Sequence, residues 1–290
     1  MATISNDEEQ GGVFPDGGEG ADEARHEDSQ ESQDNQDRHF VTALARGLEV
    51  LSCFRTGDNF LANNEIAVRC GLPKSTVTRL TYTLTKLGYL HVVPDSGKYR
   101  LGTATAALGS SMLVNLDVRQ VARPYLKALA AETGAVVALT TRDRLSMLYL
   151  ECCRSTSIVT LSLDVGSRIP LATSASGLAL LAALPPNERT DLMERIQALD
   201  EGNWPRIEQQ ILAAVDEYSK TGCATSAGTW VKEVHGIATA LWPGRGLPLM
   251  TISVAGAAGY FPLARLHEEI RPKLLDTVKE IEKHLGQRFD

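Results

Sequence analysis

The apolar positions that follow residue 38 fall into helical and strand periods arranged in two blocks. In the first block Phe40, Leu44, Leu48, Leu51 and Phe54 recur at three- or four-residue steps with Gly57 just beyond them, which predicts a helix over about residues 40–55. Asn63 or Asn64 as N-cap, then Ile66, Ala67 and Cys70, with Gly71 as the stop, predict a short second helix. A third starts at Pro73, a residue favoured in a first turn, and carries Val77, Leu80, Leu84 and Leu87 on one stripe before Gly88. Two short helices joined by a tight glycine turn form the helix-turn-helix pattern. Tyr89–Val93 and Lys98–Leu101 flank Pro94-Asp95-Ser96-Gly97, a hairpin with Tyr99 and Leu101 on one face and Lys98 and Arg100 on the other.

The second block opens with Ala104, Leu108, Met112 and Leu116 at four-residue steps, a helix of about residues 102–116 too exposed to stand alone. It either packs on a partner subunit or bridges two domains. Beyond it, helical stretches near 118–133, 187–199, 206–220 and 263–286 alternate with β-rich runs at Val136–Thr141, Met147–Glu151, Ile158–Leu163, Gly236–Leu241 and Leu249–Ala255. That mixture predicts an α+β layer structure, with Pro272 kinking the last helix.

The chain has 290 residues, 43% apolar and 22% charged, room for two domains and a sizeable core. No stretch approaches the roughly 18 apolar residues of a membrane span, the longest run being Leu178–Leu184. The acidic start, with no basic region ahead of an apolar core, argues against a secretory signal. Five cysteines (Cys53, Cys70, Cys152, Cys153, Cys223) contain no C-x-x-C pair and no neighbouring histidine cluster, which argues against a disulfide framework and a zinc site. Reduced thiols in a cytoplasmic protein without metal or cofactor are the simplest expectation.

The net charge of −7 is unevenly spread. Residues 1–37 carry twelve acids against Arg25 alone, and with Val13 and Phe14 as their only large apolar pair they are expected to be disordered. Residues 38–101 carry nine bases against four acids, a basic module inside an acidic chain. That is the electrostatic footprint of nucleic-acid binding.

The third helix gives this footprint its chemistry. Opposite the leucine stripe it presents Ser75, Thr78, Arg79, Tyr82 and Lys86, with Lys74 and Thr76 beside its first turn and no carboxylate. Arginine bonds guanine bidentately, hydroxyls reach base edges or phosphates, and first-turn amides favour phosphate, so this face suits the major groove. An ordinary solvated face usually mixes Glu with Lys, and the missing acid favours DNA. The hairpin that follows reads as a wing, with Lys98 and Arg100 near the backbone or minor groove, or as a closure of the small core, or both.

Gly71-Leu72-Pro73-Lys74-Ser75-Thr76-Val77, Arg79-Leu80, Leu87-Gly88-Tyr89-Leu90 and Tyr99-Arg100-Leu101-Gly102 strongly resemble the N-terminal domain of the IclR family of bacterial transcription regulators. Gly166-Ser167-Arg168-Ile169-Pro170-Leu171, Ser176-Gly177 with Leu181-Ala182 and Leu184-Pro185, and Gly236-Ile237-Ala238 ahead of Pro243 resemble its effector-binding domain. The likeness runs over about residues 39 to 287. It implies a winged helix-turn-helix domain over 38–101, a linker helix over 102–116 and a GAF-like antiparallel-sheet effector-binding domain from 117 to 290. The implied partners are double-stranded operator DNA, a small-molecule effector and a second copy of the chain. A homodimer is expected because one recognition helix reads too few base pairs for genomic specificity. Pairing of dimers into tetramers is left open.

In the second domain Thr173-Ser174-Ala175-Ser176-Gly177 opens a helix that runs to Leu184 before Pro185-Pro186. Hydroxyls and free amides at a helix start suit a carboxylate or another polar group, although Thr173 or Ser174 serves equally as a plain N-cap. The resemblance places effectors where this helix begins, beside the loop Gly166–Leu171. It also carries pocket positions onto Glu233, Thr239 and Ser253, with Met147 and Leu139 as apolar walls. The sequence departs from the family pattern at Thr239, at Trp242 and at Ala255, which suggests an effector more apolar or aromatic than a small dicarboxylate. A buried packing role explains Trp242 equally well, and Trp230 is similarly ambiguous.

The rival class is an enzyme built on serines 174–176. The chain holds no G-x-S-x-G elbow and no phosphate loop, since Lys74-Ser75-Thr76 lacks the preceding glycine spacing. His235 beside Glu233 is the one acid/base candidate. A ligand-responsive regulator explains more of the chain.

Overall fold

The computed structural model describes residues 40–55, 57–114, 116–155, 163–244 and 246–287. The acidic segment 1–37 and most of the β-rich run expected at Ile158–Leu163 lie outside the described residues. The chain forms two compact units, one of the described residues up to Phe54 with Phe60–Arg100, the other of those within Arg55–Asn59 and from Leu101.

The first unit holds helices α1 (Thr42–Ser52), α2 (Asn63–Cys70) and α3 (Lys74–Lys86) and a hairpin of β1 (Leu90–Val92) and β2 (Tyr99–Leu101). Its core is small, gathered around Val50, Phe54, Leu61, Ile66, Val77 and Leu90. Only the C-terminal half of α1 reaches it. Phe40, Leu44 and Leu48, expected on the packed stripe, are 59%, 61% and 54% exposed because the first turns of α1 overhang the core.

Ala62, rather than Asn63 or Asn64, caps α2: the Glu65 carboxylate accepts the Ala62 amide at 2.7 Å. This leaves the Asn63 amide free to reach α3, where its Nδ2 donates to Thr78 Oγ1 at 3.1 Å and to the Lys74 carbonyl at 3.3 Å. Gly71, at φ +63°, stops α2 in the left-handed region and turns the chain into α3, for which Pro73 is the N-cap rather than a first-turn residue. On α3 the buried stripe is Val77 and Thr81, whose hydroxyl donates to the Val77 carbonyl at 2.9 Å. Leu87 falls off the stripe at 61% exposure because the helix ends one residue before it. The wing closes on a turn with Asp95 and Gly97 at positive φ, and Tyr99 exchanges backbone hydrogen bonds with Leu61.

The second unit begins with α4 (Thr103–Val114), on which Leu108 and Met112 are exposed. Leu116, expected on the same stripe, lies past the end of α4 and is buried as the N-cap of α5 (Asp117–Thr133). A six-stranded antiparallel sheet follows, made of β3 (Val136–Asp143), β4 (Ser146–Arg154), β5 (Arg168–Pro170), β6 (Ala224–Ala227), β7 (Val234–Leu241) and β8 (Met250–Ala257). Its order is β5-β4-β3-β8-β7-β6. The short strands β5 and β6 carry too little alternation to be read from sequence, and both sit at the sheet edges.

The sheet separates two cores. Val137, Leu139, Leu150, Ile237 and Val254 face α5 and the C-terminal helix. Ala138, Met147, Tyr149 and Ala238 face α6 (Ala175–Ala183), α7 (Pro186–Leu199) and α8 (Trp204–Thr221). This is the period-2 alternation of strands buried on both faces. Where α6 begins, Ala175 packs against Gly236 and Ala255 of the sheet, and a Cβ at Gly177 would stand 1.9 Å from the Leu171 carbonyl oxygen.

After α9 (Leu263–Arg265) a π-helical turn over Leu266–Ile270 leads into α10 (Arg271–Gln287). Pro272 therefore marks a change of register within a continuing helical segment, where a kink was expected. The Arg271 guanidinium donates to the His267 carbonyl at 2.8 and 3.1 Å, supplying a donor beside a proline that has none.

All five cysteines are free thiols. No helix among the described residues is long and apolar enough to cross a membrane. Burial pushes the Cys223 thiol up to about 12.

Gly177→Ala should lower the unfolding free energy by about 1–3 kcal/mol or more, read from the urea midpoint, because backbone must move to admit the methyl group. The Cys223 thiol resists ionisation in the folded state, so its contribution is intact below pH 9 and is lost as pH rises from 9 toward 12. Wild type should lose about 1 kcal/mol more than Cys223→Ala between pH 8 and 10 in parallel denaturations.

Candidate functional site

In the first unit α3 carries the residues singled out from the sequence. Lys74, Ser75, Thr78, Arg79 and Tyr82 are exposed and Thr76 is half-buried. No side chain caps the α3 N-terminus, so its first-turn amides and three hydroxyl-bearing residues share one end of a helix without a carboxylate. Thr78 is already committed: its hydroxyl donates to the Lys74 carbonyl at 2.9 Å and accepts from Asn63. It sets the helix in place, and Arg79 and Tyr82 are the long side chains that project. The Lys86 ammonium sits 5.5 Å from the Tyr82 ring centre, a cation–π contact that holds a positive charge on the same face. On the wing Arg100 is exposed, whereas Lys98 is half-buried with its ammonium 4.8 Å from the Phe60 ring centre. The reach of Asn63 to α3 and the contact of Phe60 with Lys98 leave no trace in sequence periodicity, since both act across elements.

In the second unit a cavity opens where α6 begins. Ser174 is the N-cap: its Oγ accepts the Gly177 amide at 3.2 Å and donates to the Pro170 carbonyl at 2.6 Å. Ser174, Ala175 and Ser176 line the cavity with Ser253 and Ala255 of β8, Gly236 of β7, Tyr149 of β4 and Ile169 of β5. Ser226, Trp230, Val231 and Val234 complete the wall. Free space within it is about 30 Å³, room for a water or two. Ser176 Oγ is buried there with no hydrogen-bond partner, a hydroxyl awaiting one. Burial pushes the Tyr149 phenol up, so it stays protonated and neutral.

The other expected pocket residues fall elsewhere. Met147 and Leu171 are wholly buried in the core beneath α6, and Leu139 faces the opposite core. Tyr149, two residues along from Met147 on the same strand face, lines the cavity instead. Gly166, at φ +88°, donates its amide to the Tyr149 carbonyl at 2.9 Å and shapes the loop behind it. The Thr173 carbonyl accepts from Ser226 and Thr229, bracing the cavity from outside. Thr239 is buried with its hydroxyl on the Gly222 carbonyl at 2.7 Å, and Glu233 is exposed. Trp242 is 58% exposed, not a buried packing residue.

No described residue lining the cavity is His, Asp, Glu, Lys or Cys. His235 Nδ1 is engaged with the Phe261 carbonyl at 3.0 Å. The serines therefore have hydroxyls but no adjacent base, a set suited to binding rather than to nucleophilic attack. No group of three or more potential metal ligands occurs among the described residues.

Comparison with known proteins gives the same division. Residues 43–94 match the IclR helix-turn-helix domain and residues 110–283 match the bacterial transcriptional regulator IclR C-terminal domain. The HTH-type transcriptional regulator TsaQ1/TsaQ2 of Comamonas testosteroni is 36% identical over 84% of this chain and 88% of its own length. A crystal structure of an IclR family transcriptional regulator from Brucella abortus is 40% identical, with a TM-score of 0.80, covering 86% of this chain and 94% of that one. An IclR homolog from Microbacterium hydrocarbonoxydans, solved in complex with 4-hydroxybenzoate, is 25% identical with a TM-score of 0.64, covering 84% of this chain and 99% of that one. With an antiparallel sheet and a hydroxyl-lined helix start in one unit and a basic helix-turn-helix in the other, the chain belongs to the IclR family of bacterial transcriptional regulators, DNA-binding proteins with an effector-binding C-terminal domain.

Proposed function

We propose that α3 enters the major groove of operator DNA in the cytoplasm, with Arg79 reading a base and Lys74, Ser75 and Thr76 holding phosphate at its first turn. Thr78 positions the helix, Tyr82 flanks the base-reading side, and Lys98 and Arg100 hold the wing on the backbone. The observation that carries this reading is an exposed, hydroxyl-rich and cationic helix face with no acid on it.

The cavity at the α6 start takes the effector, an aromatic or carboxylic small molecule. The Ser176 hydroxyl, Ser253 and the first amides of α6 receive its polar end, and Tyr149, Ile169, Trp230 and Ala255 surround its ring. The complex of the Microbacterium homolog with 4-hydroxybenzoate supports that class. Because the free space is small, a ring enters only when the wall moves. Trp230 and Val231, in the β6–β7 connection, form the side least fixed by the sheet. The protein acts as a homodimer, a reading supported by the exposed Phe40, Leu44 and Leu48 of α1 and Leu108 and Met112 of α4, apolar surface in want of a cover.

Arg79→Ala should weaken binding to the protein's own promoter and relax preference at one base position by about 1–3 kcal/mol, whereas Lys98→Ala should weaken all sequences alike. Fluorescence anisotropy on operator and random duplexes separates the two, and equal losses on both for Arg79→Ala would reject base reading. A thermal-shift series with 4-hydroxybenzoate and related aromatic carboxylates should raise the melting temperature of wild type. Ser253→Leu should abolish that rise while operator affinity persists, and a normal rise in the variant would place the effector elsewhere.

A further inference from the structure

The outer face of α3 carries cations that the first unit itself does not neutralise. Lys74 and Arg79 are exposed and meet no carboxylate among the described residues, and the exposed Lys86 stands over the Tyr82 ring. At a rise of about 1.5 Å per residue, Arg79 and Lys86 lie on one side of the helix about 10 Å apart along its axis, with Lys74 at its start. The first-turn amides of α3 have no side-chain cap. Uncapped amides followed by a row of cations favour carboxylates at several points along the helix.

The chain ahead of α1 has the complementary composition. The thirteen residues Asp22–Asp34 hold six acids against Arg25, together with Ser29, Gln30, Ser32 and Gln33 and no large apolar side chain. Any surface that takes this segment must therefore do so by charge and hydrogen bonding, not by apolar burial. Asp34 lies eight residues ahead of Thr42, where α1 begins. In turn α1 lies against α3, since a Cβ at Gly47 would stand 4.0 Å from Leu80 Cδ2. Eight residues span at most about 28 Å, against a radius of gyration of about 10 Å for a unit of this size, so the tether reaches the α3 face.

Resting on the reading of α3 as the DNA-contacting helix, we propose that Asp22–Asp34 lies along the exposed face of α3 when DNA is absent, its carboxylates on Lys74, Arg79, Lys86 and the first-turn amides, and that DNA must displace it. A segment tethered beside its face competes at an effective concentration of about a millimolar, so an intrinsic affinity of about 0.1 mM holds DNA back about tenfold.

The test uses the full chain, treated without DNA with a carbodiimide that joins lysine to a touching carboxylate, and maps the products by peptide mass. Crosslinks should join Asp22–Asp34 to Lys74 or Lys86 at about 50 mM salt. They should vanish at about 0.5 M salt, where the screening length falls to about 4 Å, and in excess random duplex. A full-length variant with Asp22→Asn, Glu23→Gln, Glu27→Gln, Asp28→Asn, Glu31→Gln and Asp34→Asn should bind promoter and random duplexes about tenfold more tightly than wild type at about 50 mM salt. The two gains should be equal, because both ligands displace the same segment, and should shrink to about twofold or less at about 300 mM salt. The proposal is overturned if no crosslinks form, if they fall as often on exposed lysines of the second unit such as Lys220 and Lys279, or if variant and wild type bind DNA alike. A gain in DNA affinity without crosslinks would assign the acids to direct repulsion of DNA and likewise overturn docking. The crosslinks form without DNA, so their absence rejects the docking whatever α3 does on DNA, and Arg79→Ala tests the DNA reading whatever the segment does.

Discussion

The closest constraint in the molecule is the approach of α6 to the chain at Leu171. Gly177 sits so near the Leu171 carbonyl that no side chain fits, and Ala175 packs beside Gly236 and Ala255 on the sheet. Because these positions are small, the helix start lies directly on β7 and β8 rather than a side chain's width above them. That proximity brings the Ser176 and Ser253 hydroxyls to one cavity and buries the first-turn amides next to them. A larger residue at Gly177 would lift the helix and separate the two sides of the site.

The first unit solves a different problem. Its core of a few residues must fix one helix firmly enough to present it, so α3 spends one face on Val77 and Thr81 and leaves the opposite face polar. Asn63 adds directional restraint that a small apolar core lacks, with two hydrogen bonds from the start of α2 to the start of α3. Thr78 shows how residue type alone misleads: a hydroxyl suited to DNA is used for holding the helix. The edges of the second unit show the same economy, since the free side of β6 is covered by the Glu217 side chain instead of another strand.

Elements with several turns or strong alternation were legible from sequence: α3, α5, α8 and strands β3, β7 and β8 fall where periodicity put them. The short strands β5 and β6 did not show, because three or four residues cannot display a period. The apolar stripe runs the whole length of α1, although only the last turns of the helix meet a core. Leu116 keeps the four-residue spacing of the α4 stripe yet belongs to the N-terminus of α5. At the C-terminus Pro272 announced a disturbance, and the structure resolves it as a π-helical turn with an arginine side chain beside it.

By itself the sequence determined the two-part order, the basic helix with its acid-free face and the hydroxyl-rich start of α6, because charge and short-range spacing are local properties of the chain. The tertiary structure decided which side chains meet. Tyr149, Ser226 and Trp230 join Ser176 from strands and loops tens of residues apart, while Met147, Thr239 and Glu233 are carried elsewhere. Strand register and the close approach of α6 fix those encounters, and both arise from packing between distant segments that no local pattern encodes.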